Sequence, residues 1–176
     1  MDESSVKTLD SVVESASFAL FESVGVPLER VPAVTRSRDD IGASIGFTSS
    51  VLRGAVVLIS TRALVRQALP EEMREGAPDE QIADWMGELT NQLLGRIKNK
   101  LLSFGVTLEM STPTVIFGID LANKDTRARL RRQFAFRSGE EPLSVFLDAV
   151  SAPGLELTLL EEPPPAGIAE GDLALF

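Results

Sequence analysis

Histidine, cysteine and tyrosine are all missing from the 176 residues, and tryptophan occurs once. Without histidine there is no imidazole to move protons near neutral pH, and without cysteine there is neither a thiol nucleophile nor a disulfide. The usual ligand sets for zinc and haem go with them. Carboxylate sites for hard cations stay open, but the D-x-D-x-D-G spacing of an EF-hand loop does not occur. No apolar run approaches the ~18 residues of a membrane span. Met1-Asp-Glu-Ser-Ser has neither the basic start nor the apolar stretch of a signal peptide, so none is expected. Positive charge is in short supply: 17 Lys and Arg face 26 Asp and Glu, a formal net charge of −9. That balance disfavours nucleic acid and anionic membrane surfaces as partners. No cofactor fingerprint and no conventional nucleophile–base set is present. A cytoplasmic protein is expected, and a cysteine-free chain fits a reducing compartment.

What the chain does have is enough apolar material for one globular domain, at 44% hydrophobic residues. Val6, Leu9, Val13, Ala16, Leu20 and Val24 repeat at helical spacing up to Gly25 and Pro27, which predicts an N-terminal amphipathic helix with a glycine stop. Short β-prone pieces alternate with Gly42 and Gly46 from Val31 to Phe47. Gly54-Ala-Val-Val-Leu-Ile-Ser60 reads as a buried strand, reached through a hairpin at Thr48 to Arg53. Thr61 suits the N-cap of a short helix, Arg62 to Leu69, stopped by Pro70, and Glu71 to Ala77 reads as a charged loop. Pro78, Asp79 and Glu80 suit the start of a long helix reaching about Phe104, with Lys98 and Lys100 near its end and Gly105 beyond it. Strand-like runs follow at Val106 to Met110, Thr114 to Ile119, Gln133 to Arg137, Leu143 to Val150 and Leu155 to Leu160, with a turn at Ser138-Gly139. Successive short strands without βαβ alternation predict an α+β fold, a largely antiparallel sheet with helices packed mainly on one face. Residues 1–160 form the domain; Glu161-Glu-Pro-Pro-Pro165 opens a stiff linker and an acidic tail to Phe176.

The long helix carries the candidate chemistry. Ile82, Met86, Leu89, Leu93, Ile97, Leu101 and Phe104 recur at steps of three and four and define its apolar face. At about 100° per residue, Glu88, Asn91 and Gly95 fall in one stripe on the opposite side, toward water. A glycine in an exposed helix interior costs roughly 1 kcal/mol relative to alanine. An amide can donate and accept hydrogen bonds together, so Asn91 can hold a water in line with a phosphoryl group, as a glutamine does in GTP hydrolysis. A carboxylate one turn away can pair with a lysine on a partner. The same residues also fit a solvated helix face whose glycine merely eases packing.

Gly87-Glu-Leu-Thr-Asn-Gln-Leu-Leu-Gly-Arg-Ile-Lys-Asn-Lys-Leu101, followed by Ser111-Thr-Pro-Thr-Val-Ile-Phe-Gly118, resembles the CheX branch of the CheC/CheX/FliY phosphatases. In that family a helix bearing Glu-x-x-Asn, then x-x-x-Gly, leads to a strand that opens with Ser-x-Pro-Thr. Ile45-Gly-Phe-Thr and Gly54-Ala-Val-Val-Leu-Ile-Ser look like the paired strands before it. The resemblance covers roughly residues 5 to 160, with its specific part at 87 to 118. It implies hydrolysis of the aspartyl-phosphate on a CheY-like receiver, with Asn91 orienting the attacking water and Glu88 pairing with the receiver's active-site lysine. Asp84 and Gly95 fall to the partner-docking face, Gly95 as clearance. No cofactor is expected on this chain; Mg2+ would belong to the receiver. A single motif matches the CheX arrangement, and a homodimer is implied.

The chain departs from the family pattern in two ways. Gln92, Leu93 and Leu94 stand where small residues often follow the motif asparagine, and the Pro-rich linker and tail are additional. The tail is read as a mobile or loosely docked end, with a binding peptide as the other reading. Lys124, Arg127, Arg129, Arg131 and Arg132 form a basic cluster, read as a solvated loop or helix rather than a contact patch. Trp85 is read as core rather than as a docking aromatic. The alternative function is a non-catalytic adaptor that binds a response regulator or a flagellar component through the same face, because related folds in the flagellar switch serve assembly. A small-molecule enzyme is a third, weaker reading.

Overall fold

The computed structural model describes residues 1–34, 40–119, 121–123 and 130–161. Its elements are helices α1 (Glu3–Ser23), α2 (Arg62–Ala68), α3 (Glu71–Arg74) and α4 (Asp79–Leu102), and strands β1 (Glu29–Val31), β2 (Asp40–Thr48), β3 (Leu52–Thr61), β4 (Glu109–Met110), β5 (Thr114–Gly118), β6 (Leu130–Ser138) and β7 (Glu141–Ser151). The Asp2 carboxylate caps α1 by accepting the Ser5 amide at 2.9 Å. Hydrogen bonding from Ser5 holds that carboxyl below its ordinary range. The cap is complete above the ordinary carboxylate pKa and is lost only as the pH falls through the lowered value.

Both long helices stop in the same way. Gly25 and Gly105 take φ of 75° and 73°. Each is followed by an amide that reaches back to close the helix, Val26 N to Phe21 O at 2.8 Å and Val106 N to Leu101 O at 3.1 Å. Only glycine takes that backbone without strain, which is why these positions were readable as stops.

The strands form one seven-stranded sheet in the order β1-β6-β7-β3-β2-β4, with β5 also on β2. All pairings are antiparallel. Alternation assigns the faces. Ile41, Ala43 and Ile45 of β2, Val56 and Leu58 of β3, and Leu143, Val145 and Leu147 of β7 are buried in the main core. Leu9, Val13, Ala16 and Leu20 of α1 and the apolar face of α4 join the same core. Phe18 of α1 meets Phe136 of β6 edge-on, with ring centroids 5.3 Å apart. Arg132 of β6 ion-pairs with Asp10 of α1 on this side. The predicted architecture is therefore the one found.

Several local expectations need correction. Glu71 to Ala77 is not all loop. Pro70 starts the short α3, Met73 N donates to Pro70 O at 2.9 Å, and Arg74 Nε ties the turn back to Leu69 O at 2.7 Å. Val106 to Met110 contributes only the two residues of β4, while Val106 and Leu108 go into the core. Leu155 to Leu160 forms no strand. Leu157 N donates to Ser5 Oγ at 2.8 Å and Leu160 N to Ser103 O at 2.9 Å, pinning this stretch across one end of the helical layer. Arg131 and Arg132 lie in β6, not in a loop or helix, and adjacent strand positions send them to opposite faces. Arg131 grips the buried Asp148 of β7 with two bonds of 2.7 and 3.1 Å. Lys124, Arg127 and Arg129, and residues 162–176 of the tail, lie outside the described residues.

Candidate active site on the central helix

Helix α4 is fixed before any functional residue is considered. Ile82, Met86, Leu89, Leu93, Ile97 and Leu101 are each at most 1% exposed. At about 1.5–3 kcal/mol per fully buried side chain, this face outweighs the cost of a helix glycine. Phe104, the last member of the pattern, lies beyond the helix and is half-buried. Thr90, Leu94 and Gly87 are buried as well and widen the buried arc.

That wider arc changes the setting of the polar stripe. Glu88, Asn91 and Gly95 do not project freely into water; all three are half-buried along the flank of the helix. Glu88 and Asn91 line an open groove of about 510 Å³ with Ala83, Asp84 and Gly87 on one wall. The other wall is Ser111, Thr112, Pro113 and Val115, from the connection between β4 and β5. Gly95 is not among the lining residues.

The second wall follows from chain chemistry. β4 and β5 both pair with β2, opposite Phe47–Thr48 and Asp40–Ser44. Between them Pro113 has no amide to give the ladder. Ser111 fills part of the gap with its side chain: its Oγ accepts Gly46 N at 2.9 Å while its own amide donates to Gly46 O at 2.9 Å. The broken edge strand is thereby clipped beside α4. A Cβ added to Gly87 would come into ordinary contact with Val115 at 3.5 Å and Pro113 at 3.7 Å, so helix and wall run close there.

Within the stripe, Gln92 Nε2 donates to Glu88 Oε1 at 2.8 Å. Asn91 has no hydrogen-bond partner for its carboxamide among the described residues. On its other side Glu88 borders a more apolar groove lined by Leu69, Met73, Asp84 and Trp85. Trp85 packs against the core, yet its indole Nε1 is buried with no partner among the described residues. A Cβ at Gly95 would meet nothing within 4 Å. Gly95→Ala is therefore expected to stabilise the protein by roughly 0.5–1 kcal/mol, read as a higher urea midpoint at unchanged slope. A lower midpoint would mean that the fold itself requires glycine at that position.

Sequence reasoning used Ser111-Thr-Pro113 only as part of a signature and missed its place opposite Asn91. The signal was available: a proline just ahead of a strand marks an interrupted edge. No His, Cys, Asp or Glu group of metal-binding size occurs among the described residues. No helix among them is long and apolar enough to cross a membrane.

An antiparallel sheet layered with helices, with a polar groove on the central helix, makes this an α+β protein with one candidate site on α4. The model of the family described as "Chemotaxis phosphatase CheX" matches residues 41–135, and the chain belongs to that family. No curated protein matches the chain. Among solved structures it is similar to the chemotaxis protein CheX of Vibrio vulnificus, at 18% identity over 81% of this chain and 96% of that one, with a TM-score of 0.71. A CheX from Desulfovibrio desulfuricans gives 18% identity, coverages of 81% and 99%, and a TM-score of 0.69. The CheX of a CheX–CheY–BeF3–Mg2+ complex from Borrelia burgdorferi gives 10% identity, coverages of 79% and 96%, and a TM-score of 0.59. At these identities the likeness is one of fold.

Proposed function

We propose that this protein hydrolyses the aspartyl-phosphate of a CheY-like receiver domain in the cytoplasm, using the groove between α4 and the β4–β5 connection. The observation that carries this reading is the pairing of Glu88 and Asn91 along one groove in a chain of the CheX family. Asn91 orients a water in line with the phosphorus. Attack forms the new P–O bond as the bond to the aspartyl oxygen breaks, releasing inorganic phosphate and the free carboxylate. Catalysis of this kind is positioning and charge stabilisation, so a chain without histidine or cysteine suffices. Glu88 pairs with the receiver's lysine and fixes the register. Asp84 and Gly95 extend the docking face. The magnesium resides on the receiver, in keeping with the Mg2+ named in the Borrelia complex.

The test is loss of phosphate from receivers charged with a small-molecule phosphodonor, with wild type, Asn91→Ala and no added protein. Equal rates with wild type and Asn91→Ala would remove Asn91 from the chemistry. Binding of the receiver without faster loss of phosphate would instead support the adaptor reading. Gly95→Leu, whose Cβ would meet nothing within 4 Å, is expected to raise KM about tenfold or more by obstructing the partner.

We also infer a homodimer, with the outer edge of β5 as its surface. That edge has no strand partner among the described residues. It exposes Ile116 at 57% and Ile119 at 73%, beside Phe117, whose ring lies 4.6 Å below the Arg62 guanidinium. Uncovered apolar edges are avoided in monomers. Light scattering should give twice the chain mass for wild type and a shift to the monomer for Ile116→Lys with Ile119→Lys. A monomeric wild type, or a double variant that stays dimeric, overturns this surface.

A further inference from the structure

We propose that Gln92 is a positioning residue: it holds Glu88 in the orientation that meets the partner's ammonium group. The inference rests on the receiver-docking role of Glu88 given above. One turn separates the two side chains, so they share a helix face, and Gln92 Nε2 donates to Glu88 Oε1 at 2.8 Å. The second carboxylate oxygen has no partner among the described residues and is left for the incoming lysine.

Residue type matters at this position. An exposed glutamate loses several rotatable bonds when it is fixed at an interface, and that entropy is charged against binding. A neighbour that fixes the side chain beforehand removes part of this cost. Glutamine does so without cancelling the charge, because its amide is neutral. A lysine at the same place would form an i, i+4 ion pair with Glu88 and compete with the partner. An alanine would leave the carboxylate free to turn. Gln92 thus presents one oxygen and occupies the other. Glu88 also stands between two grooves, the polar one beside Asn91 and the apolar one beside Trp85, so its direction decides which of them the charge serves.

A double-mutant cycle tests this on binding, independently of hydrolysis. CheY-type receivers loaded with Mg2+ and beryllofluoride are titrated with wild type, Gln92→Ala, Gln92→Lys, Glu88→Ala and Glu88→Ala/Gln92→Ala. Gln92→Ala is expected to raise Kd about three- to tenfold, the range of a charge-assisted hydrogen bond partly exposed to water. Gln92→Lys should raise it further, with part of the loss relieved by salt as the new ion pair is screened. In the Glu88→Ala background, Gln92→Ala should change nothing. A Gln92→Ala protein that binds like wild type overturns the proposal. An equal loss in both backgrounds also overturns it, because Gln92 would then act apart from Glu88. Failure of the phosphatase reading shows elsewhere, in a wild-type protein that binds the receiver without speeding its loss of phosphate. If no receiver binds wild type, both fall together.

Discussion

Replacing Asn91 by alanine is expected to lower kcat for receiver dephosphorylation by about 10²- to 10³-fold, the range seen when one precisely placed polar group is removed from a reacting centre. KM should stay within a factor of about three, because the water-orienting interaction is made in the transition state. The fold should not suffer. Asn91 is half-buried, lines an open groove and has no side-chain partner among the described residues, so truncation strands no buried polar group. Asn91→Gln keeps the chemistry of the amide but displaces it by one methylene. A displacement of this order costs on the order of 10²-fold where in-line geometry is required. Glu88→Ala is expected to behave differently, raising KM more than it lowers kcat, since the role proposed for Glu88 is to pair with the receiver's lysine and not with the attacking water. If Asn91→Ala raised KM and left kcat unchanged, the residue would be a docking contact.

The parts of this fold that were legible share one property: side-chain periodicity alone decided them. Six apolar residues at steps of three and four placed the buried face of α4, and Gly25 and Gly105 marked the helix ends through the one backbone conformation that favours glycine. The failures arose where a hydrogen-bond partner, not a period, made the decision. Leu155 to Leu160 alternates as a strand does, and Leu157 is buried as alternation requires. Yet β7, the strand it follows, already has β6 on one side and β3 on the other, so β7 offers it no edge. Its amides went to Ser5 and Ser103 instead. The basic cluster misled for the converse reason. Neighbours in sequence become opposites in a strand, and Arg131 and Arg132 serve two unrelated carboxylates, Asp148 and Asp10.

The site divides along the same line. The common direction of Glu88 and Asn91 follows from helix geometry and needs nothing else. What they face does not follow from it. Ser111, Thr112 and Pro113 lie beyond the end of α4 in the chain and reach the groove only because β2 carries the interrupted edge strand back alongside the helix. From the sequence alone the stripe faces open water, whereas in the fold it lies half-buried against a wall. A helical wheel records which residues turn away from the core, but not what a returning strand sets beside them.

The largest effect on stability is expected at Gly54, far from that groove. A Cβ placed there would stand 2.0 Å from the carbonyl oxygen of Asp148 and 2.8 Å from the Cα of Ala149. Both obstacles are backbone, so no rotamer change relieves the clash. Gly54 sits where β3 is held on both sides, opposite Phe47 of β2 and Ala149 of β7. Moving β7 away would also disturb Asp148, 3% exposed, whose carboxylate binds Arg131 and Asn123. Gly54→Ala is therefore expected to cost about 3 kcal/mol or more, the upper end of what overpacking a closed interior does. For a chain of this size that is a fall of roughly 6–12 °C in Tm. Gly42→Ala is the control. Its Cβ would come no closer than 3.4 Å to Leu121 and to the Leu58 carbonyl, so a change within about 1 kcal/mol is expected. Urea melts of the two variants beside wild type decide the matter. Equal midpoints for Gly54→Ala and Gly42→Ala would mean that β3 and β7 yield easily where they now touch. The sheet would then be a softer support for the β2 edge, and for the groove built on it, than its close pairing implies.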